Sequence, residues 1–225
     1  MTKPHLVQRK NTARAGSTAP RPRSESRKGT IVGQVSDGDV GLGTRLGCRI
    51  RTMRKTAGLT LDALAERSGV SRAMLSKVER GEKNPTLAVV TRIAQGLDTS
   101  LSGLMGAETE TTPVAIRRAG QRLSFYDEET GFERHLLSPA HIETGVELLL
   151  HIIPPGASSG LLPAYDGFVE KHLIIQEGQL SVHLDDGSYH LQAGDSFYFQ
   201  IRAPYRFANE TRSRCSYYCV IVRRP

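Results

Sequence analysis

The segment LDALAERSGVSRAMLSKVERG, Leu61 to Gly81, decides the first half of the fold. Leu61, Leu64 and Ala65, and then Met74, Leu75 and Val78, recur at three- and four-residue steps, the spacing of one helical face. Gly69 stands between the two runs, suited to the positive φ of a tight turn. Thr60 and Ser71 precede the runs, where their hydroxyls accept from the free backbone N–H groups of a first helical turn. Ala65 is small where two helices must cross, and Leu64, Val70, Leu75 and Val78 form the wedge between them. The reading is two short helices joined by a sharp turn.

The helical period continues on both sides. Upstream, Leu46, Ile50, Met53 and Ala57 share a face, leaving Arg45, Arg49, Arg51, Arg54 and Lys55 mainly on the remaining surface until Gly58 ends the helix. Downstream, Thr86 opens a helix carrying Leu87, Val90, Ile93, Ala94 and Leu97, and a short turn from Ser100 to Met105 closes the bundle. Residues 44–106 thus form one helical domain. Before it, residues 1–43 hold Pro4, Pro20, Pro22, scattered Arg and Lys and a Gly-rich end, with too little apolar surface to offset ordering; a disordered basic arm is expected.

These features, with the ERGEKNPTL run from Glu79 to Leu87, resemble the helix-turn-helix regulators of the lambda-repressor (Cro/C1, Xre) type over residues 46 to about 104. The resemblance implies that the second helix of the motif enters the major groove of double-stranded DNA. Carried over, Arg72, Ala73, Ser76 and Lys77 would face bases, and Thr60, Ser71 and Arg80 would lie nearer phosphates. Arg72 has the fork that reads guanine through two hydrogen bonds. Leu61 is a departure, because many relatives place a phosphate-binding Gln there.

After an acidic, Thr-rich linker at 107–113 the pattern changes to short alternating runs: Phe132 to Leu137, Val146 to Ile153, His172 to Gln176, Leu180 to Leu184, Ser188 to Leu191, Ser196 to Phe199 and Tyr217 to Val222. Turn pairs such as Glu177-Gly178, Asp186-Gly187 and Gly194-Asp195 separate them, which predicts an all-β sandwich or barrel over 114–225. The runs PPGASSG, from Pro154, EGQLSVHLDDGSYHLQAGDSFYF, from Glu177, and APYRFAN, from Ala203, resemble the cupin domain, a double-stranded β-helix or jelly-roll barrel. The fold class is therefore multidomain: an all-α helix-turn-helix bundle followed by an all-β cupin barrel.

Cupin enzymes hold a metal with two histidines and a carboxylate from one motif and a histidine from the next. In this chain the resemblance puts Lys171 at the carboxylate position and Tyr205 at the second-motif histidine, so no metal and no cofactor is expected. A one-residue shift of register would bring in Glu170 and His172, with Asp166 as a third ligand. His135, His141, His151, His183 and His190 are scattered on strands and read as solvent-facing or satisfied. Lys171, Tyr205, Tyr165 and Phe199 are the candidate lining of a small-molecule pocket, and a buried lysine there would favour an anionic effector such as a carboxylate. Alternatively Lys171 reaches solvent and the barrel only dimerises.

Charge is distributed unevenly: residues 1–30 carry +7, residues 31–106 carry +4 and residues 107–225 carry −4. A basic front half suits a polyanion such as DNA, and the acidic barrel does not. Cys48, Cys215 and Cys219 form no disulfide framework, and Cys215 and Cys219 fall on one strand face as core residues. No apolar run reaches membrane-spanning length and the N-terminus lacks a secretory signal, so a cytoplasmic chain is expected, with no membrane partner. No Ser/His/Asp or phosphate-loop arrangement stands out. The expected function is a dimeric, sequence-specific DNA-binding transcriptional regulator, not an enzyme, whose barrel binds an effector or dimerises. The alternatives are a metal-dependent cupin enzyme fused to a DNA-binding domain, and an antitoxin-like interaction protein.

Overall fold

The structure is a computed structural model that describes residues 42–107, 114–139, 145–165 and 167–224. The expected basic arm falls almost wholly on residues 1–41 and the linker on 108–113, outside the described residues, as do His141 and Asp166.

Five helices form the first domain: α1 (Leu42–Thr56), α2 (Leu61–Ser68), α3 (Arg72–Glu79), α4 (Leu87–Gly96) and α5 (Leu101–Met105). The first begins two residues before the expected Thr44. The hydroxyls of Thr60, Ser71, Thr86 and Ser100 each accept from a backbone N–H in the first turn of the helix that follows. Gly69 ends α2 at φ 63°, a left-handed conformation costly for a residue with a Cβ. Leu64, Leu75, Val78, Val90 and Ile93 are buried together beneath Ile50.

Helix α1 lies close on α3. A Cβ on Gly47 would stand 2.1 Å from the Val78 carbonyl oxygen, so only glycine permits this approach. The same contact buries a charge pair that the periodicity misplaced. Arg54, expected on the surface, donates to both Glu79 oxygens at 2.5 and 2.8 Å and to the Leu59 carbonyl at 2.8 Å. Two-pronged geometry and the additional bond to a carbonyl offset the desolvation that an isolated buried pair would suffer. Arg49 ties the same helix to α5 through the Leu104 and Gly103 carbonyls.

Among the described residues the second domain holds nine strands: β1 (Ser124–Tyr126), β2 (Glu133–Leu136), β3 (Val146–Ile153), β4 (Phe168–Glu177), β5 (Gln179–Leu184), β6 (Gly187–Gln192), β7 (Ser196–Gln200), β8 (Arg206–Ala208) and β9 (Cys215–Arg224). One sheet runs β1-β2-β3-β9-β4-β7 and the other β6-β5-β8, every pairing antiparallel. The expected runs are all strands; β1 and β8, three residues each, were not among them. Side chains from both sheets meet inside, as where Phe207 of β8 lies 5.5 Å from Tyr217 of β9.

Alternation along β4 sorts the former metal candidates. Val169, Lys171, Leu173 and Ile175 are buried on one face, while His172 and Ile174 are exposed on the other. Glu170 shares the outer face, accepting from the Tyr198 hydroxyl at 3.1 Å with Arg224 at 3.3 Å. The shifted register that would place Glu170 and His172 in the interior is therefore not the one adopted. Cys215 and Cys219 are both buried in the core.

Candidate DNA interface and barrel cavity

Helix α3 presents Arg72, Ala73 and Lys77 to solvent while Leu75, Val78 and Glu79 anchor its other side. Ser76 is half-buried and takes a hydrogen bond from Arg80, whose guanidinium also grips Glu82. Arg72 pairs with Asp62 of α2 at 3.1 Å, both side chains being largely exposed. Such a pair contributes little to stability and exchanges readily for a stronger partner. Thr60 and Ser71 spend their hydroxyl acceptors on helix caps, leaving their hydroxyl protons free for an acceptor. Leu61 is half-buried against the core.

Inside the barrel, three of the four expected pocket residues converge. Lys171 is 3 % exposed, its Nζ 4.7 Å from the centroid of the Tyr205 ring and 5.1 Å from that of Phe207. It makes no hydrogen bond or ion pair with a described residue, and the aromatic faces provide its principal stabilisation. Burial, with Arg134 and Arg223 nearby, pushes its pKa down to about 8 despite the opposing pull of Cys219 and Glu147. Tyr205 is buried and stays protonated, its pKa raised by burial first and by Tyr165 and Cys219 next. Tyr165 lines the same space, its ring 5.6 Å from the Arg223 guanidinium carbon. Phe199 does not line it; it lies one layer behind, 5.6 Å from Tyr205 and 6.3 Å from Phe207.

The sequence reading missed the rest of the wall. Arg134 of β2 and Arg223 of β9 reach Glu147 of β3 at 2.5 and 2.8 Å. Burial pushes the Glu147 carboxyl upward, but the two guanidinium groups overcome it and hold the pKa down to about 2. His151, expected to be solvent-facing or satisfied, is buried. Its Nδ1 meets the Tyr217 hydroxyl at 3.1 Å and its Nε2 has no partner among the described residues. Burial, followed by the charges of Arg134 and Lys171, drives its pKa well down, so the ring is neutral. Arg134, His151 and Arg223 line the cavity with Lys171, Tyr165 and Tyr205, while Glu147 stands behind it; the space measures about 30 Å³ and is completed by Leu162, Phe207 and Ile221 from the barrel and by Leu87, Thr91 and Leu101 from the helices. Among the described residues no group of three or more His, Cys, Asp or Glu side chains is placed to hold a metal ion. No described helix is long and apolar enough to cross a membrane.

Two-domain architecture, an exposed second helix in a helix-turn-helix, and a two-sheet jelly-roll define a class: a DNA-binding regulator with a cupin module. The comparisons agree. A Helix-turn-helix family model matches residues 50–104 and a Cupin domain model matches residues 149–221. The chain is 28 % identical to the HTH-type transcriptional regulator SutR of Escherichia coli over 169 residues, 73 % of this chain and 86 % of that one. It is 21 % identical to the HTH-type transcriptional regulator PuuR of the same organism, over 75 % of this chain and 90 % of that one. An HTH_3 family transcriptional regulator from Vibrio cholerae shares the fold, with TM-score 0.67, 24 % identity, and 82 % and 98 % of the two chains covered. The chain is therefore an HTH-type transcriptional regulator that joins an Xre-type helix-turn-helix domain to a cupin domain.

Proposed function

We propose that this regulator acts in the cytoplasm as a homodimer that places two α3 helices in successive major grooves, and that its barrel binds a small anionic effector instead of performing catalysis. The observation that carries the effector reading is Lys171, a buried residue whose ammonium, among the described residues, stands over aromatic rings without an ion-pair partner beside a small cavity. A carboxylate there would supply the missing counter-charge and hydrogen bonds. On the DNA side, Arg72, Ala73, Ser76 and Lys77 face bases, with Arg72 leaving Asp62 for a guanine edge. Thr60, Ser71 and Arg80 meet phosphates. Effector binding then alters the balance of DNA-competent and incompetent arrangements in proportion to its preference for one of them.

The test is selection of bound sequences from a random DNA pool by the full chain, repeated with small carboxylates added. A palindromic site with half-sites roughly 34–36 Å apart supports the dimeric reading. Recovery of unselected DNA, or a monomer in solution at the concentrations used, would overturn it. Stoichiometric iron, manganese or zinc in the purified chain would overturn the non-catalytic reading of the barrel.

A further inference from the structure

The cavity beside Lys171 does not belong to the barrel alone. Leu87 and Thr91 of α4 and Leu101 of α5 close it from the DNA-binding side. Three hydrogen bonds surround this closure. Ser102 of α5 donates to Glu147 at 2.9 Å, Gln95 of α4 donates to the Ala164 carbonyl at 2.7 Å, and the Leu87 N–H donates to Asp127 at 2.8 Å. We infer that a small carboxylate in this cavity is gripped between the two domains, so that its binding and the docking of α4 and α5 on the barrel are one coupled equilibrium. The inference rests on the reading of Lys171 as the ligand's counter-charge.

The chemistry of the walls limits the ligand. The barrel side supplies cations and donors, Lys171 above all, with Arg134 and Arg223 already committed to Glu147. The helix side supplies leucine methyl groups and Thr91, whose hydroxyl is occupied by the Leu87 carbonyl at 2.7 Å. A carboxylate on a short apolar tail matches both sides. With about 30 Å³ available, room for roughly two water molecules, the site favours the smallest acids, of the size of formate or acetate, over longer ones.

The energetic consequence follows from linkage. Undocking α4 and α5 removes the apolar wall and opens the carboxylate to water, so the ligand binds the docked arrangement more tightly and must favour it by that difference. The link also passes through Ser102, which accepts from Arg134 at 3.1 Å while donating to Glu147, so the cationic side of the cavity and α5 share one hydrogen-bond network. Helix α3 stays exposed in the docked arrangement, so the ligand acts on how the recognition helix is held, without covering it. Coupling of this kind is reciprocal: DNA changes the ligand's affinity by the factor by which the ligand changes that of DNA.

The experiment titrates formate, acetate, glyoxylate and pyruvate into the full chain by calorimetry and ligand-detected NMR, with the selected DNA absent and present. Wild type, Lys171→Met, Thr91→Ile and Ser102→Ala are compared. Thr91→Ile narrows the cavity from the helix side only, and Ser102→Ala cuts the interdomain link without emptying the core. Expected are loss of binding in Lys171→Met, a loss of tenfold or more in Thr91→Ile, a loss of threefold or more in Ser102→Ala, and equal reciprocal factors for acid and DNA. Wild-type-like binding by Lys171→Met, or no binding of any acid by wild type, overturns the anion reading and this inference with it. Lysine-dependent binding that ignores both helix-side variants, or a coupling factor of one, overturns the inference and leaves the anion site standing. A cooperative thermal transition in each variant excludes unfolding as the cause.

Discussion

Ser102 and Glu147 meet across the two domains at 2.9 Å, a hydroxyl from the last helix donating to a carboxylate buried in the barrel and clamped by Arg134 and Arg223. Removing the carboxylate leaves a buried guanidinium, Arg134, and a half-buried one, Arg223, without their counter-ion. Glu147→Gln is expected to cost about 3–5 kcal/mol, measured by urea unfolding at pH 7. The pH dependence has a definite sign. Because the Glu147 pKa is held below its ordinary value of 4.5, down to about 2, its contribution is fully present above pH 4.5 and is lost as the pH falls toward 2. The stability gap between wild type and Glu147→Gln should close over that window.

Lys171 behaves in the opposite way. Its pKa is pushed from 10.5 to about 8, so the unfolded chain binds more protons between these values and folding stability rises with pH across them. Below pH 8 the buried charge costs up to about 3 kcal/mol, and Lys171→Met should raise the melting temperature at pH 7 while abolishing acid binding. The variant's advantage should shrink between pH 8 and 10.5. Affinity of the wild type for acetate should fall as the pH passes 8, because the neutral amine no longer attracts a carboxylate.

Arg72→Ala is expected to weaken binding to the selected DNA by about 1–3 kcal/mol and to relax preference at one base position, read by repeating the selection. Deleting residues 1–41, which include the +7 segment at 1–30, should act differently, flattening the slope of affinity against salt with little change in base preference. A variant that loses both together would contradict the division between base and phosphate contacts.

Asp127 of the β1–β2 turn supplies a fourth check. Its Oδ2 accepts from the Leu87 N–H at the start of α4, and its Oδ1 accepts from Glu129 and Thr130 at 3.1 and 3.2 Å. Asp127→Ala leaves the buried Leu87 N–H and the less buried Glu129 and Thr130 N–H groups without this partner and removes a negative charge from the positive end of a helix. A loss of about 1–3 kcal/mol is expected, with amide exchange accelerated at Leu87 as well as in the turn.

The helical half of the molecule was legible because local rules agree there: four caps, a left-handed Gly69 and a 3.6-residue period all mark the same boundaries. Arg54 escaped that reading, since periodicity locates a face but not the Glu79 that turns a charged residue inward. The cavity was half legible. Lys171 and Tyr205 stood out as departures from a metal-ligand pattern, whereas Arg134, Glu147 and Arg223 come from three strands whose adjacency only the sheet order creates. His151 lies in VELLLHII, a nearly unbroken apolar run in which alternation gives no inward or outward signal. Phe199 points inward as expected, but depth within a barrel is not encoded in strand period.

The buried Arg54–Glu79 pair and the close seat of Gly47 fasten α3 from behind, so its outward residues carry little of the work of holding the domain together. Arg72, Ala73 and Lys77 are thereby free to vary. If these side chains read the operator as proposed, exchanging them would retarget the chain to a new site while leaving its barrel and its scaffold as they are.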